Sequence, residues 1–144
     1  MKPLAAFQVL LAWACCVLAP PLGAQSLGRI ELVIHNLVPG KGQLLIGLCT
    51  QKQFLTAKCT VSMRVDVTKN PQVVPMPPVA ADDYAAQVVY DKNRNDKMDA
   101  NLFGAPTEPV GFSRDAVGKM GPPRFEDARF AFDGTALKLV LQLY

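Results

Sequence analysis

Histidine is nearly absent from this sequence of 144 residues, which contains only His35. His35 lies at an outward position of a predicted strand, so we interpret it as a solvated side chain rather than a general base. The sequence also lacks a Gly-x-Ser-x-Gly nucleophile elbow, a glycine-rich phosphate loop and a histidine cluster for catalytic zinc. These absences argue against the common hydrolase and phosphotransferase classes, and we predict a protein without catalytic residues.

Basic runs and long apolar runs are also missing after residue 24. The formal net charge is only +3 and the lysines and arginines are scattered, so we expect no nucleic-acid partner. No later apolar segment approaches the ~20 residues that a membrane-spanning helix needs. No later segment sustains a helical period over three turns either, so helices are not expected to form the core.

The first 24 residues have the three-part pattern of a secretory signal peptide. Lys2 gives a positive start, residues 4–19 are apolar, and Pro20-Pro21 precedes a group of small residues. We expect cleavage after Ala24, which leaves residues 25–144 as one domain, with cleavage after Ser26 as the alternative. The sequence therefore predicts export, either into a periplasm or out of the cell, and no transmembrane segment after cleavage.

Cysteine is scarce beyond this segment, where only Cys49 and Cys59 remain. An even pair in an exported chain predicts a disulfide. The bridge would close a loop of about ten residues, which the chain-entropy model values at roughly 2–3 kcal/mol. A metal pair or a reactive thiol is the alternative, but no histidine lies nearby to complete a site or activate a thiolate.

Short segments with period-two alternation, separated by glycine and proline turns, predict an all-β fold: a single antiparallel sandwich of about seven strands, with immunoglobulin-like domains as one example. The predicted strands cover residues 29–37, 43–48, 63–67, 72–76, 84–90, 124–132 and 137–144. The first two are expected to form a hairpin, and the fourth an edge strand because Pro75 removes a ladder donor. The fifth has the pattern of a central strand, and the last has four leucines on one face.

The longest segment without a strand or helix period is 91–113, DKNRNDKMDANLFGAPTEPVGFS, which is expected to be an ordered loop at one end of the sandwich. Its start has the spacing D-x-N-x-N-x-x-x-D, and alternate oxygen ligands at such spacing can wrap around Ca²⁺. The predicted ligands are side chains at positions one, three, five and nine, the backbone carbonyl at position seven, and a glutamate that folds back: Asp91, Asn93, Asn95, Asp99, Lys97 and Glu108.

Two positions depart from an EF-hand loop. Asp96 replaces the glycine of the sharp turn, although aspartate tolerates a left-handed conformation better than most residues. Leu102 occupies the place of the bidentate glutamate, which is why Glu108 is needed. The alternative is that the Asp and Asn side chains cap turns and bond their own backbone without a metal.

Three further residues of the loop are candidates for anchoring or recognition. We expect Phe103 and Phe112 to fix the loop onto the end of the sandwich, with an exposed aromatic recognition surface as the rarer case. Ser113 has no base within sequence reach, so its hydroxyl is expected to bond the loop backbone.

Four segments carry a resemblance to a known family: 84–99 (YAAQVVYDKNRNDKMD), 104–108 (GAPTE), 111–113 (GFS) and 123–128 (PRFEDA). The chain resembles the DUF2141 family of small exported bacterial domains, in which a strand ends in an Asp-x-Asn-x-Asn-Gly-Lys-x-Asp loop. A Gly-x-Pro-x-Glu segment, a Gly-Phe-Ser segment and a Pro-x-Phe-x-x-Ala strand follow. The resemblance implies an exported β-sandwich of transthyretin (prealbumin)-like or carboxypeptidase-regulatory type and brings no known activity.

This chain departs from the family pattern in three places. Tyr90 stands where a histidine is common, Asp96 replaces the glycine, and Pro109-Val110 replaces Gly-Tyr. These departures bear on the metal site more than on the fold.

Three functions are compatible with these features. The first is a non-catalytic binding or accessory module whose loop recognises an envelope or extracellular protein or glycan, with Ca²⁺ ordering the loop. The second is a hydrolase that uses Glu108 with one of the loop aspartates. The third is a purely structural envelope domain, and the sequence leaves the oligomeric state open.

Overall fold

The computed structural model describes residues 26–144, so the predicted signal peptide and its cleavage after Ala24 lie outside the described part. Within that part no helix has the length and apolar character needed to cross a membrane. Eight strands occur in chain order: β1 (Arg29–His35), β2 (Gln43–Cys49), β3 (Val61–Asp66), β4 (Gln72–Pro75), β5 (Asp82–Asp91), β6 (Val110–Phe112), β7 (Phe130–Phe132) and β8 (Ala136–Gln142). A 3-10 turn at Ser113–Asp115 and a one-turn helix α1 (Phe125–Ala128) are the other regular elements.

The strands form two sheets, which confirms the all-β sandwich. One sheet has the order β4-β1-β8, and the other has the order β3-β2-β5-β6, with β7 also pairing with β5. Strand β5 thus has three neighbours and β4 lies at an edge, as their sequences predict. The pairing of β1 with β8 is parallel, so the sandwich is not wholly antiparallel.

The predicted hairpin of the first two strands is wrong. β1 pairs with β4 and β8, whereas β2 pairs with β3 and β5. The intervening turn carries the chain from one sheet to the other. Each strand has one apolar face, and these faces meet across the core instead of lying side by side.

The main core fills the space between the sheets. Its members lie on the inward faces of the strands and include Ile30, Leu32, Ile34, Leu44, Ile46, Leu48, Tyr84, Val88, Tyr90 and Leu141. The alternating leucines of β8 are confirmed, since Leu141 and Leu143 are buried and Leu137 and Leu139 pack against the same core.

A second, smaller core covers the outer face of β5. Ala85, on that face, packs with Val110, Phe112, Phe125 and Ala128. The ring of Phe54 meets the rings of Phe112 and Phe125 edge-on, at centroid distances of 5.8 and 5.7 Å. β5 is therefore buried on both faces, and this fixes the position from which the long loop starts.

The predicted strand 124–132 is only partly correct. Its first half is helix α1, which directs Phe125 and Ala128 onto the second core, and only Phe130–Phe132 is extended. Residues three apart lie on one face of a helix, so a single turn buries both side chains where a strand would bury one. The alternation of aromatic residues did not reveal this turn.

The predicted disulfide is present between Cys49, at the end of β2, and Cys59. It closes the 50–58 excursion that supplies Phe54 to the second core. The side chain of Gln87 on β5 bonds this excursion as well, since its Oε1 accepts from the backbone N–H of Leu55 at 2.9 Å and its Nε2 donates to the carbonyl of Thr56 at 2.8 Å.

Candidate functional site

The long loop starts from a buried carboxylate. Asp91 is the last residue of β5, lies opposite Gln43 of β2, and is fully buried. Its Oδ2 accepts hydrogen bonds from Gln43 Nε2 at 2.8 Å and from the Asp96 backbone N–H at 2.9 Å, while its Oδ1 accepts from the Asn95 N–H at 3.2 Å. The carboxylate thus folds the next five residues back over the end of β5.

These hydrogen bonds keep the buried group charged. Burial by itself raises the pKa of Asp91, because it disfavours the ionised form. The donors from Gln43, Asp96 and Asn95 act in the opposite direction and prevail, so the pKa of Asp91 is lowered below its ordinary value. Gln43 is the partner that sequence reasoning missed, and its only signal was a polar residue at the start of an otherwise apolar strand.

Two non-glycine residues of the loop adopt left-handed backbone conformations. Arg94 has φ of 61° and Asp96 has φ of 64°, and Asp96 holds the turn at which a glycine was expected from the EF-hand pattern. The Asp96 carboxylate accepts from Gln43 Nε2 at 2.8 Å and pairs with Arg64 of β3 at 3.1 Å. Arg94 in turn pairs with Asp66 of β3 at 2.8 Å. These two ion pairs therefore fix the turn to β3.

Three of the predicted ligand side chains meet at one point. The amide nitrogens of Asn93 and Asn95 donate to the two oxygens of Asp99, at 2.6 and 2.8 Å. The amide oxygens accept from the loop's own backbone, Asn93 Oδ1 from the Asn95 N–H and Asn95 Oδ1 from the Lys97 N–H. These contacts are those of self-capping turns, the alternative that the sequence left open.

The carboxylates of Asp91 and Glu108 contact this cluster through its backbone N–H groups, those of Asn95 and Asp99, and not through its side chains. Glu108 is buried and does fold back onto the start of the loop, where its oxygens accept from the backbone N–H of Lys92 at 2.8 Å and of Asp99 at 3.4 Å. Across residues 26–144 no group of three or more Asp, Glu, His or Cys side chains has a geometry suited to a metal ion. The Ca²⁺ site, including the Lys97 carbonyl, stays a prediction.

Beyond Asp99 the loop forms a short hairpin with an apolar end. Asp99 and Thr107 are joined by a backbone hydrogen bond of 2.8 Å, and Ala100 and Pro106 form an isolated bridge. At the end, which we call the hairpin tip (residues 100–107), Leu102 is 101% exposed and Phe103 is 95% exposed. Phe103 therefore does not anchor the loop, and that expectation is wrong.

Phe112 and Ser113 hold the far end of the loop. Phe112 ends β6, a strand within the segment that was predicted to be loop throughout, and its ring is buried in the second core. Ser113 is also buried, and its Oγ donates to the carbonyl of Ala128 at 2.6 Å and accepts from the N–H of Ala86 at 2.9 Å. Its hydroxyl thus joins α1 to β5 and does not bond the loop backbone as expected.

Two lysines of the loop stay on its outer surface. Lys92 and Lys97 are exposed, and neither belongs to an ion pair within the described residues. The Lys92 ammonium lies 5.5 Å from the centre of the Tyr90 ring. His35, the last residue of β1, is half-buried and is not a partner in the hydrogen bonds of the loop described above.

Comparison with protein families gives a match that covers most of the domain. The profile described as "Uncharacterized protein conserved in bacteria (DUF2141)" matches residues 32–139. The match runs from within β1 to within β8 and contains the whole of the 91–113 loop. No curated protein and no solved structure matches the chain. Because the profile spans well over half of the sequence, the chain belongs to the DUF2141 family.

Proposed function

We propose that this chain is an exported, non-catalytic binding module that recognises a component of the bacterial envelope or its surroundings through the 91–113 loop. The observation that carries this proposal is the hairpin tip, where Leu102 and Phe103 are fully exposed on an ordered turn. Large apolar side chains at the end of a rigid loop lose their contact with water when a partner covers them, and loops on rigid sandwiches commonly carry recognition.

The order of the loop supports recognition by a preformed surface. The base of the loop is fixed to β2 and β3 through Gln43 and Arg64, and its far end is fixed by Phe112. A loop that is already ordered loses less conformational entropy on binding than a flexible one. The same contacts disfavour hydrolysis, because the buried carboxylates of Asp91 and Glu108 are occupied by backbone and amide donors.

Export is supported by the Cys49–Cys59 disulfide, since such bonds form and persist in oxidising compartments. The N-terminal signal pattern agrees with this location. A periplasmic or secreted protein would meet envelope proteins, glycans and lipids, which defines the classes of partner.

Ca²⁺ is the proposed ordering ligand of the loop. Asn93, Asn95 and Asp99 already meet at one point, and rotation of the two amides would turn their oxygens toward the Asp99 carboxylate. Oxygen donors of this kind suit a hard cation. Asp91 and Glu108, which hold the backbone on either side, would complete the ligand set.

Thermal unfolding with Ca²⁺ and with chelator tests the metal. A ligand at a hundred times its dissociation constant stabilises the folded state by about 2.7 kcal/mol. We expect a chelator-sensitive rise in melting temperature that is lost in Asp99→Asn. Asp133→Asn is the matched control, because Asp133 also accepts turn hydrogen bonds, from Thr135, but lies outside the loop. If wild type shows no shift at millimolar Ca²⁺, the loop is a metal-free turn.

Binding to native envelopes tests the module itself. Labelled protein is incubated with membranes and cell-wall material from the producing bacterium, and bound protein is measured by sedimentation. We expect wild type to bind and a double variant, Leu102→Ser with Phe103→Ser, to bind much less. Equal binding of the two proteins would contradict recognition by the hairpin tip.

A further inference from the structure

The hairpin tip carries no charged residue. Residues 100–107 read ANLFGAPT, between Asp99 and Glu108 at the base of the hairpin. Leu102 and Phe103 project from this neutral segment with their surfaces fully accessible. A contiguous apolar projection of this kind is unusual on a soluble surface and marks an interaction site.

Most backbone N–H groups of the tip are hydrogen-bonded within the hairpin. Asn101 is the centre: its Oδ1 accepts from the N–H groups of Phe103 and Ala105, and its carbonyl accepts from the N–H of Gly104. The Asn101 N–H donates to the carbonyl of Ala105, and Pro106 has no N–H. Gly104, with φ of 79°, makes this closed turn possible without strain.

Such internal pairing is what an apolar medium demands. A backbone N–H that leaves water without a partner costs several kcal/mol in hydrocarbon, which excludes ordinary open loops from that medium. From residue 103 to residue 107, every N–H group has an acceptor within the hairpin. The tip can therefore enter an apolar medium without losing hydrogen bonds at these positions.

The charged groups near the hairpin tip are compatible with binding to a surface of lipid phosphates. The carboxylates of Asp91 and Glu108 are buried, that of Asp99 accepts two amide donors, and Asp96 is paired with Arg64. Lys92 and Lys97 are exposed near the base of the hairpin, and their ammonium groups have no carboxylate partner among residues 26–144, although that of Lys92 lies over the Tyr90 ring.

The height of the hairpin matches the depth of a lipid interface. Residues 99–101 lead into the turn that Leu102 and Phe103 occupy, which places this turn roughly 7 Å from Asp99 at strand spacing. Apolar groups of interfacial proteins enter a bilayer by roughly 5–10 Å, to the boundary of headgroups and acyl chains. With the tip at that depth, lysines at the base of the hairpin would lie at the level of the headgroup phosphates.

We propose that the partner of the loop is a phospholipid bilayer, with Leu102 and Phe103 inserted at the interface and Lys92 and Lys97 against the headgroup phosphates. This proposal rests on the proposed binding function and names its partner class. A pocket in a protein would also accept the apolar tip, but it would not by itself account for two exposed lysines without carboxylate partners beside a neutral segment.

A tryptophan probe at the tip tests insertion directly. Trp13 is the only tryptophan of the sequence and lies in the predicted signal peptide, so in the background of residues 25–144, which lack tryptophan, Phe103→Trp places a single indole at the tip. We expect its emission to move to shorter wavelength with vesicles of phosphatidylethanolamine and phosphatidylglycerol, in the presence of chelator. Val140→Trp in the same background is the matched control, because Val140 is half-exposed on β8 in the other sheet. Its emission should not change.

Sedimentation with the same vesicles gives the magnitude. Removing the two apolar side chains, with Leu102→Ser and Phe103→Ser, should lower the bound fraction by about tenfold or more, while Val140→Ser leaves it unchanged. Lys92→Glu with Lys97→Glu should weaken binding, and more so on vesicles with phosphatidylglycerol. Because all these side chains are exposed, unchanged circular dichroism is expected and serves as the folding control.

The outcomes separate this inference from the binding function. If the tip variant loses binding to native envelopes but wild type does not bind pure lipid vesicles, the partner is a protein or glycan and the inference is overturned. If wild type binds vesicles but the Phe103→Trp emission does not shift, insertion of the tip is overturned as well. If binding to native envelopes and to vesicles is unaffected by the tip variant, both proposals fail.

Discussion

Replacing Asp91 by alanine should destabilise the domain more than any other single change in the loop. Its carboxylate is the fully buried group on which the first turn of the loop is built. The substitution removes the acceptor for Gln43 Nε2, for the Asp96 N–H and for the Asn95 N–H. The loop would then lose its attachment to the end of β5.

The size of the effect follows from what remains after the change. Gln43 Nε2 keeps the Asp96 carboxylate as an acceptor, and the Asn95 N–H keeps the side-chain oxygen of Asn93. The Asp96 N–H loses its acceptor, and Gln43 loses its bond to a buried charge. Hydrogen bonds to charged groups contribute about 1.5–3 kcal/mol each, and water can reach part of the exposed turn, so we expect a loss of about 3 kcal/mol.

Urea and thermal unfolding measure this loss. For a domain of this size about 1 kcal/mol corresponds to roughly 4 °C, so the melting temperature should fall by about 12 °C. Asp66→Ala is the matched control, because Asp66 makes an exposed ion pair with Arg94 and should cost no more than about 0.5 kcal/mol. A loss below about 1 kcal/mol for Asp91→Ala, or one equal to the control, would refute the role given to the buried carboxylate.

The same reasoning predicts a dependence on pH. The pKa of Asp91 is lowered in the folded protein relative to its ordinary value of 3.8. Its contribution is therefore fully present above that value and is lost as the pH falls through the lower folded pKa. We expect the stability difference between wild type and Asp91→Asn to be constant from pH 7 to 5 and to shrink in more acidic solution. A difference that grows with acid would have the wrong sign.

Three further changes test the scaffold by urea unfolding. Ser113→Ala removes a buried hydroxyl with two backbone partners and should cost about 1–3 kcal/mol, and a neutral result would show that water replaces it. The double replacement Cys49→Ser and Cys59→Ser should lower the free energy of unfolding by about 2–3 kcal/mol. Unchanged stability of the double variant, or of the wild type in reducing agent, would contradict the stabilising role of the disulfide. Gly111→Ala places a Cβ 2.5 Å from the carbonyl oxygen of Gln142 and should cost about 1–3 kcal/mol, and normal stability would mean that the β6 and β8 ends can separate.

The position of most strands was predictable because alternation is a local property. A strand with one buried face has an apolar residue at every second position, as the leucines from Leu137 to Leu143 show. The start of the loop at Asp91 was visible for the same reason, since the alternation of β5 ends there. The disulfide needed only the count of cysteines beyond the N-terminal segment.

Loop side chains were predictable in type but not in partner. The spacing of Asn93, Asn95 and Asp99 indicated that these side chains would meet, and they do. That Gln43 would bond Asp91 could not be seen, because the two residues lie on different strands and meet only through their pairing. The two phenylalanines of the loop looked equivalent, yet Phe112 is buried and Phe103 is exposed.

The sequence by itself determined the all-β class, most strand positions, the cysteine pair and the polar start of the loop, because each of these depends on neighbours along the chain. The tertiary structure decided which strands pair, why residues 125–128 turn into a helix, and which aromatic residue faces water. Those outcomes depend on contacts between distant segments. Both faces of β5 must be covered, and the second core that covers its outer face exists only when the disulfide excursion, β6 and α1 meet there.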